Sequence, residues 1–181
     1  MNSIGSFHNI IYKKFNEEDL LKGLFIAVIQ ATRVPPHIGL ITDGKYNSLT
    51  IKGHDINTTF SALLKNTVQR KIPTLFIKIK SHNTFSSNYL NDHIISNVQQ
   101  FDRVDVGLAT CLSPVKLFFE EVYNVSMEDI NFLFELIPKL YSENLIENYS
   151  ALFIDEKKYV LPVYSNAEIY SGITQVRNEI R

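Results

Sequence analysis

The Asp43-Gly44 dipeptide lies between a short apolar stretch and a stretch that alternates like a β-strand, and it constrains the fold more than any other feature of the chain. Residues 37–42 read HIGLIT and residues 46–52 read YNSLTIK. Glycine supplies the positive φ that a tight hairpin turn requires, so the two stretches are predicted to pair in antiparallel fashion. A third β-rich run at residues 24–30 ends in a loop that contains two adjacent prolines, which cannot continue a β-ladder. The sequence therefore predicts an antiparallel meander of three strands.

Caps and periodicity predict the elements that follow the meander. Thr58 or Thr59 can cap a helix whose apolar residues recur at helical spacing. Residues 74–80 alternate like a fourth strand, and residues 83–100 carry their apolar side chains on one face, as an amphipathic helix does. The pattern thus changes from strands to a mixture of helices and strands.

The C-terminal third of the chain is predicted to hold two helices and a hairpin. Ser126, with an acid three positions later, is an approximate capping box for an apolar helix over residues 127–144. Residues 151–163 are predicted to form a β-hairpin, and Ser165 or Asn166 to cap a more polar last helix. The structural interpretation of the apolar stripe at residues 132–140 is a buried helix. The functional interpretation is a dimer surface or a groove for an acyl chain.

The resulting fold class is α+β, an antiparallel β-sheet with a cysteine-bearing helix packed on it, followed by C-terminal helices and a hairpin. We expect a single domain over residues 1–181, with a core at about 24–123 and an extension at about 124–181. No internal repeat or low-complexity linker divides the sequence.

Composition excludes several classes of protein. Hydrophobic residues make up 45% of the 181 positions and charged residues 20%, which argues against wholesale disorder. The net charge of −1 and the lack of a basic stripe argue against a nucleic-acid partner. A single cysteine cannot form an internal disulfide, and no apolar run is long enough to cross a bilayer, so we expect a cytoplasmic protein without a transmembrane segment.

Cys111 has two interpretations. Free cysteine is among the most buried residue types, so on its own Cys111 reads as a small core residue. Its place just before a predicted helix, with Pro114 in the first turn, favours a nucleophile instead. Backbone N–H groups and the helix dipole at such a position are expected to lower the thiol pKa and to stabilise an oxyanion.

His37 is the natural general base for such a thiol, because histidine titrates near neutral pH. The alternative is a surface histidine at the start of a strand. The sequence has no metal-ligand spacing, no Walker loop, no G-x-G-x-x-G and no G-x-S-x-G, so it predicts neither a metal nor a cofactor.

The strand–loop–strand FIAVIQATRVPPHIGLI with the following DGKYNSL resembles the start of circularly permuted papain-like domains, which include NlpC/P60-related hydrolases and the lecithin retinol acyltransferase-like group. In that family a histidine strand, a glycine turn and another strand precede a cysteine that opens a helix. Residues 37–40, 43–46 and Cys111 match these parts in that order. The resemblance covers roughly residues 24–123 and implies a permuted papain-like fold.

The resemblance also implies a polar residue on the strand after the histidine strand, which orients the catalytic ring. Ser48 is the candidate, and Thr50 or His54 fit less well.

Two further residues are candidates for substrate binding: Gln30 as an amide donor and Arg33 as a partner of a carboxylate or phosphate. A solvated loop position is the alternative for both.

The sequence therefore predicts a cysteine-dependent hydrolase or acyltransferase acting on an amide or ester. Its substrate is expected to be a small molecule, a peptide of cell-wall type or a lipid. The alternative is a non-catalytic papain-like binding domain, which could form a homodimer.

Overall fold

The computed structural model describes residues 9–180, which form an α+β fold with one antiparallel sheet of six strands and five α-helices. The strands are β1 (Leu24–Ile29), β2 (His37–Thr42), β3 (Lys45–Thr50), β4 (Gly53–Thr59), β5 (Thr74–Ile79) and β6 (Ile146–Leu152). The helices are α1 (Phe60–Gln69), α2 (Ser87–Gln99), α3 (Leu112–Tyr123), α4 (Leu133–Ser142) and α5 (Asn166–Ile180). The strand order across the sheet is β4-β3-β2-β1-β5-β6.

The predicted meander is confirmed. Strand β1 pairs with β2 and β2 pairs with β3, both antiparallel. Asp43 and Gly44 have φ values of 45° and 75°, the two positive angles of a type I′ turn. The turn therefore fixes the β2–β3 register, as the dipeptide indicated.

Strand β4 was not predicted, and it extends the meander by one strand. It pairs with β3, and the register shifts between Tyr46 and Ser48. Its sequence, GHDINTT, is polar and poor in strand-forming apolar residues, because the strand lies at the sheet edge with few buried side chains. Pairing with β3 therefore decides its structure more than its own propensity does.

Each face of the sheet has its own core. Helix α1 and residues such as Phe25, Tyr46 and Phe76 form the smaller core on one face. The larger core, which includes Leu40, Phe118 and many other apolar side chains, contains residues of α2, α3, α4 and α5. Burying a side chain of this size stabilises the fold by about 1.5–3 kcal/mol.

Two predicted helix caps are confirmed, and one is wrong. The Thr59 side chain accepts a hydrogen bond from the N–H of Ala62 at the start of α1, and Ser165 and Glu168 form a capping box at the start of α5. Helix α4 begins at Leu133 and not after Ser126. The acid that caps it is Glu135, whose carboxylate accepts from the N–H groups of Asn131 and Phe132. The pair of Ser126 and Asp129 thus predicted the wrong start for this helix, because its N-cap is Phe132, six residues after the serine.

The predicted C-terminal hairpin at residues 151–163 is wrong. The turn is present, since the N–H groups of Lys158 and Tyr159 donate to the carbonyl of Asp155, but residues 153–165 contain no strand. Strand β6 pairs with β5 on one side, and on the other side residues 11–13 bond to Tyr149. The edge that a returning strand would need is therefore occupied by an earlier part of the chain.

The apolar stripe of α4 is mostly buried within the chain. Leu133, Phe134, Leu136, Ile137 and Leu140 are at most 8% exposed, so the buried-helix interpretation of this stripe is confirmed. Its side chains are not available as the dimer surface that the sequence also allowed, and homodimerisation itself stays a prediction. Among the described residues, no helix is both long and apolar enough to cross a membrane.

Candidate active site

The first half of strand β2 has a neighbour on one side only. The ladder between β2 and β1 runs over the whole of β2, whereas the ladder to β3 covers only Leu40 to Thr42. The backbone of residues 36–38 therefore presents an edge that β3 does not cover. Unpaired backbone groups at such an edge must find other partners.

The Cys111 sulfur lies at this edge. The thiol is 4.0 Å from the carbonyl oxygen of Pro36, and the N–H groups of Ile38 and Leu112 and of Cys111 itself act on the sulfur as hydrogen-bond donors. Cys111 is the residue that directly precedes α3, so two of these N–H groups belong to the start of that helix. One side chain thus joins the free edge of a strand to the tip of a helix.

Residues on both sides of Cys111 fix the start of α3. The Thr110 hydroxyl accepts from the N–H of Leu112, and the Ser113 hydroxyl accepts from the N–H of Thr110. Pro114 occupies the first turn, where the missing N–H costs no helical hydrogen bond. Thr110 and Ser113 therefore hold the turn that leads into α3, and the Cys111 side chain, which makes no capping hydrogen bond, faces the strand edge.

Burial raises the pKa of the Cys111 thiol to about 11, although the surrounding N–H groups lower it. This overturns the expectation that the helix start would give a thiol of low pKa. Desolvation disfavours the thiolate more strongly than three backbone donors favour it. Cys111 is only partly exposed, and it packs against the larger core.

His37 is held by Ser48, the residue that the resemblance assigned to this role. The Nε2 atom of His37 and the Oγ atom of Ser48 are 3.2 Å apart and share a hydrogen bond, whose donor depends on the tautomer. Ser48 is 2% exposed, so its hydroxyl is fixed within the protein. In the tautomer whose Nε2–H donates to Ser48, the Nδ1 atom of His37 is the ring nitrogen that can accept a proton.

The imidazole and the thiol are both neutral near pH 7. Burial lowers the pKa of His37 to about 4, and the charge of Asp55 opposes this shift. Within residues 9–180, no hydrogen bond joins the His37 ring to the Cys111 sulfur. A thiolate–imidazolium pair is therefore disfavoured in the free protein.

Asp55 is a site residue that sequence reasoning missed. It is the cross-strand partner of Ser48 in the β3–β4 ladder, and its carboxylate accepts a hydrogen bond from the Thr58 hydroxyl. Its charge favours a protonated His37. The polar sequence of β4 gave no sign of a strand, so Asp55 could not be placed beside Ser48 from the sequence.

His37 and Cys111 line one cleft at the open end of the sheet. Its volume is about 590 Å³, which falls in the range of small-molecule sites. Strands β1, β2 and β3, the C-terminal end of α1 and helix α5 contribute to its walls. Gly172 lets α5 approach the loop after β1, because a Cβ atom there would lie 2.7 Å from the Cδ atom of Pro35.

Of the other predicted site residues, Gln30 and Arg33 belong to the cleft, whereas Thr50 and His54 do not orient His37. Gln30 and Arg33 both line the cleft, and the Arg33 guanidinium donates to the Gln30 side-chain oxygen at 3.1 Å. The two weaker candidates for the orienting residue have other partners. The Thr50 hydroxyl donates to the carbonyl of Gly53, and the His54 ring bonds to the carbonyl of Phe101.

Several lining residues were not predicted, because they come from elements remote in sequence. They include two cations, Lys52 and Arg70, and two apolar residues of α5, Ile173 and Val176. No local motif marks these positions, so only the packing of the helices identifies them.

Comparisons with protein-family models, with curated protein sequences and with solved structures find no match for this chain. Within residues 9–180, no group of three or more histidine, cysteine or acidic residues has the arrangement of a metal site.

Proposed function

We propose that this protein is a cysteine-dependent hydrolase or acyltransferase with a circularly permuted papain-like fold, acting on an amide or ester of a peptide or lipid. The observation that carries the proposal is that Cys111, at the start of a helix, and His37, on a strand and held by Ser48, line the same cleft. A thiol nucleophile needs a base within reach and a third group that orients the base. The order of His37, Ser48 and Cys111 along the chain is also that of the family which the sequence resembles.

Because both groups are neutral in the free protein, proton transfer accompanies the attack of the sulfur. Nδ1 of His37 takes the thiol proton while the Cys111 sulfur forms a bond to the carbonyl carbon of the substrate. The N–H group of Cys111, at the start of α3, is the candidate donor to the oxyanion that develops. Expulsion of water by the bound substrate strengthens these interactions, since electrostatic effects grow in a dry site.

The remaining steps return both residues to their starting state. The tetrahedral intermediate expels the amine or alcohol, which takes the proton from the His37 imidazolium and leaves a thioester on Cys111. Water, or an acceptor hydroxyl or amine, then loses its proton to His37 and attacks the thioester carbon. The sulfur–carbon bond breaks, and the thiolate recovers the proton from His37. The Asp55 carboxylate would stabilise the imidazolium that forms in both halves of the reaction.

The proposal is tested by trapping the acyl-enzyme. The natural chain is mixed with the p-nitrophenyl ester of a medium-chain fatty acid, and p-nitrophenol release and the mass of Cys111 peptides are followed. We expect a burst and an acyl adduct on Cys111, neither of which occurs in Cys111→Ala. The His37→Ala variant should acylate roughly 10²–10⁴-fold more slowly, the usual contribution of a general base.

The matched control is His93→Ala, which removes a histidine that pairs with Glu121 away from the cleft. It should acylate at the rate of the natural chain. An adduct that forms equally fast without His37, or no adduct at all, contradicts the proposed chemistry.

The second candidate function is a non-catalytic binding domain of the same shape. It is favoured by the raised pKa of Cys111 and the lowered pKa of His37, which leave neither residue in its activated form. In that case the cleft binds a ligand but no acyl adduct forms on Cys111.

A further inference from the structure

The walls of the cleft are mainly apolar. Aliphatic side chains reach it from β1, from the loop before β2, from the turn after β3 and from α5. They are Ile29, Pro35, Pro36, Ile51, Ile173 and Val176. Such a lining favours the apolar part of a ligand, such as an acyl chain, over a fully polar molecule.

The charged residues that line the cleft all have the same sign. Arg33, Lys52 and Arg70 are cationic, and none of the described lining residues is aspartate or glutamate. The chain as a whole carries a net charge of −1, so this positive charge is a local feature of the cleft. His37 does not add to it near pH 7, because burial keeps the imidazole neutral.

The three cations have no acidic partner within the described part of the chain. The ion pairs there involve other lysines and arginines, and one histidine. The Arg33 guanidinium is oriented by its hydrogen bond to Gln30, which leaves further N–H donors for a ligand. A guanidinium fixed in this way suits a carboxylate or phosphate, which it can bind with two parallel hydrogen bonds.

We infer that the cleft binds an amphiphilic anion, a molecule in which an apolar acyl or alkyl chain carries a carboxylate or phosphate group. The acyl or alkyl chain of the ligand contacts the aliphatic wall of the cleft, and its anionic group pairs with Arg33 and Arg70. The inference rests on the proposed function only for the role of this molecule as substrate, since binding itself needs no chemistry at Cys111. A neutral lipid would leave the cations unpaired, and a cationic amphiphile would be repelled by them.

The experiment measures binding to the Cys111→Ala variant by titration calorimetry at low salt, so that turnover does not interfere. The four ligands have a hydrocarbon chain of the same length and differ in their polar group: decanoate, decyl phosphate, decanol and decyltrimethylammonium. We expect decanoate, decyl phosphate or both to bind at least tenfold more tightly than the neutral and cationic compounds. The preference between the first two identifies the anionic group.

Variants of the cations test which residues bind the anion. Arg33→Gln and Arg70→Gln should each weaken anion binding roughly tenfold, the loss expected for one charge-assisted hydrogen bond. Arg33→Lys, which keeps the charge, should restore part of the affinity. Lys65→Gln is the matched control, because Lys65 is an exposed cation of α1 outside the cleft, and it should bind like its parent.

Equal binding of all four compounds, no binding of either anion, or anion binding that is unchanged in both glutamine variants would overturn the inference. The outcomes separate it from the proposed function. Anion binding without an acyl adduct on Cys111 in the natural chain supports this inference and rejects the enzyme. An acyl adduct on Cys111 without a preference for anions supports the proposed enzyme and rejects this inference.

Discussion

The reactivity of Cys111 towards an alkylating agent should increase with pH well beyond the range of an ordinary thiol. The thiolate is the species that reacts with iodoacetamide, and burial raises the pKa of this thiol to about 11. At about pH 8, a thiol with a pKa of ~8.5 is roughly one quarter ionised, whereas a thiol with a pKa of ~11 is about 0.1% ionised. The folded protein should therefore react roughly 200-fold more slowly than the unfolded chain at this pH.

The assay follows the modification rate between about pH 7 and pH 10, in the folded protein and in the protein unfolded with urea. The chain has one cysteine, so each modification event reports on Cys111 alone. The rate in the folded protein should rise about tenfold per pH unit over the whole range, while the rate in the unfolded chain levels off near pH 9. The shape of the profile separates ionisation from access, because restricted access lowers the rate by the same factor at every pH.

A plateau in the folded protein at or below about pH 8 would refute this reasoning. It would mean that the N–H groups of Ile38, Cys111 and Leu112 outweigh desolvation and that the thiolate already forms near neutral pH. A rate that is independent of pH in the folded protein but rises with pH in His37→Ala would show that the imidazole takes part in removing the proton.

Two further predictions concern stability. The pKa of His37 is about 4 in the folded state, below its usual value, so its contribution to stability is present above pH ~6.5 and is lost as pH falls towards 4. Between about pH 7 and pH 5, the natural chain should lose up to about 2 kcal/mol more of its free energy of unfolding than His37→Gln does, and an equal loss in both proteins, measured by urea denaturation, would contradict this. Gly39→Ala should destabilise the fold by about 1–3 kcal/mol, because a Cβ atom there would lie 2.4 Å from a carbon of the buried Tyr46 ring. An unchanged urea midpoint would show that the ring can move aside at no cost.

Gly39 also links the packing of the Tyr46 ring to the strand that carries Ser48. Strand β2 presents its free edge to Cys111 just before Gly39, and the Tyr46 ring covers the glycine on one face of the sheet. Tyr46 and Ser48 lie on either side of the register shift in β3, so the packing of the ring and the position of the Ser48 hydroxyl are set by the same few residues. A side chain at position 39 would therefore disturb the residue that holds His37.

Local sequence patterns determined the strands around His37 and the turn that joins β2 to β3. Strand β2 has the predicted bounds, because a short apolar run and the Asp-Gly turn after it are short-range signals. The place of Cys111 directly before a helix also follows from the residues beside it, since Thr110, Ser113 and Pro114 favour a helix start. The candidates Ser48, Gln30 and Arg33 were found because the resemblance or the strand pattern placed them near the same end of the sheet.

Only the tertiary structure decided the ionisation of Cys111 and His37 and the identity of most residues that line the cleft. A pKa depends on how much protein surrounds the group, and no pattern near Cys111 shows that the larger core and the edge of β2 enclose the sulfur. Asp55 acts on His37 because β4 pairs with β3, and Arg70 and helix α5 reach the cleft across long stretches of chain. Local patterns thus set the elements and the order of His37, Ser48 and Cys111 along the chain, whereas burial and long-range pairing set the ionisation of His37 and Cys111 and the lining of the cleft around them.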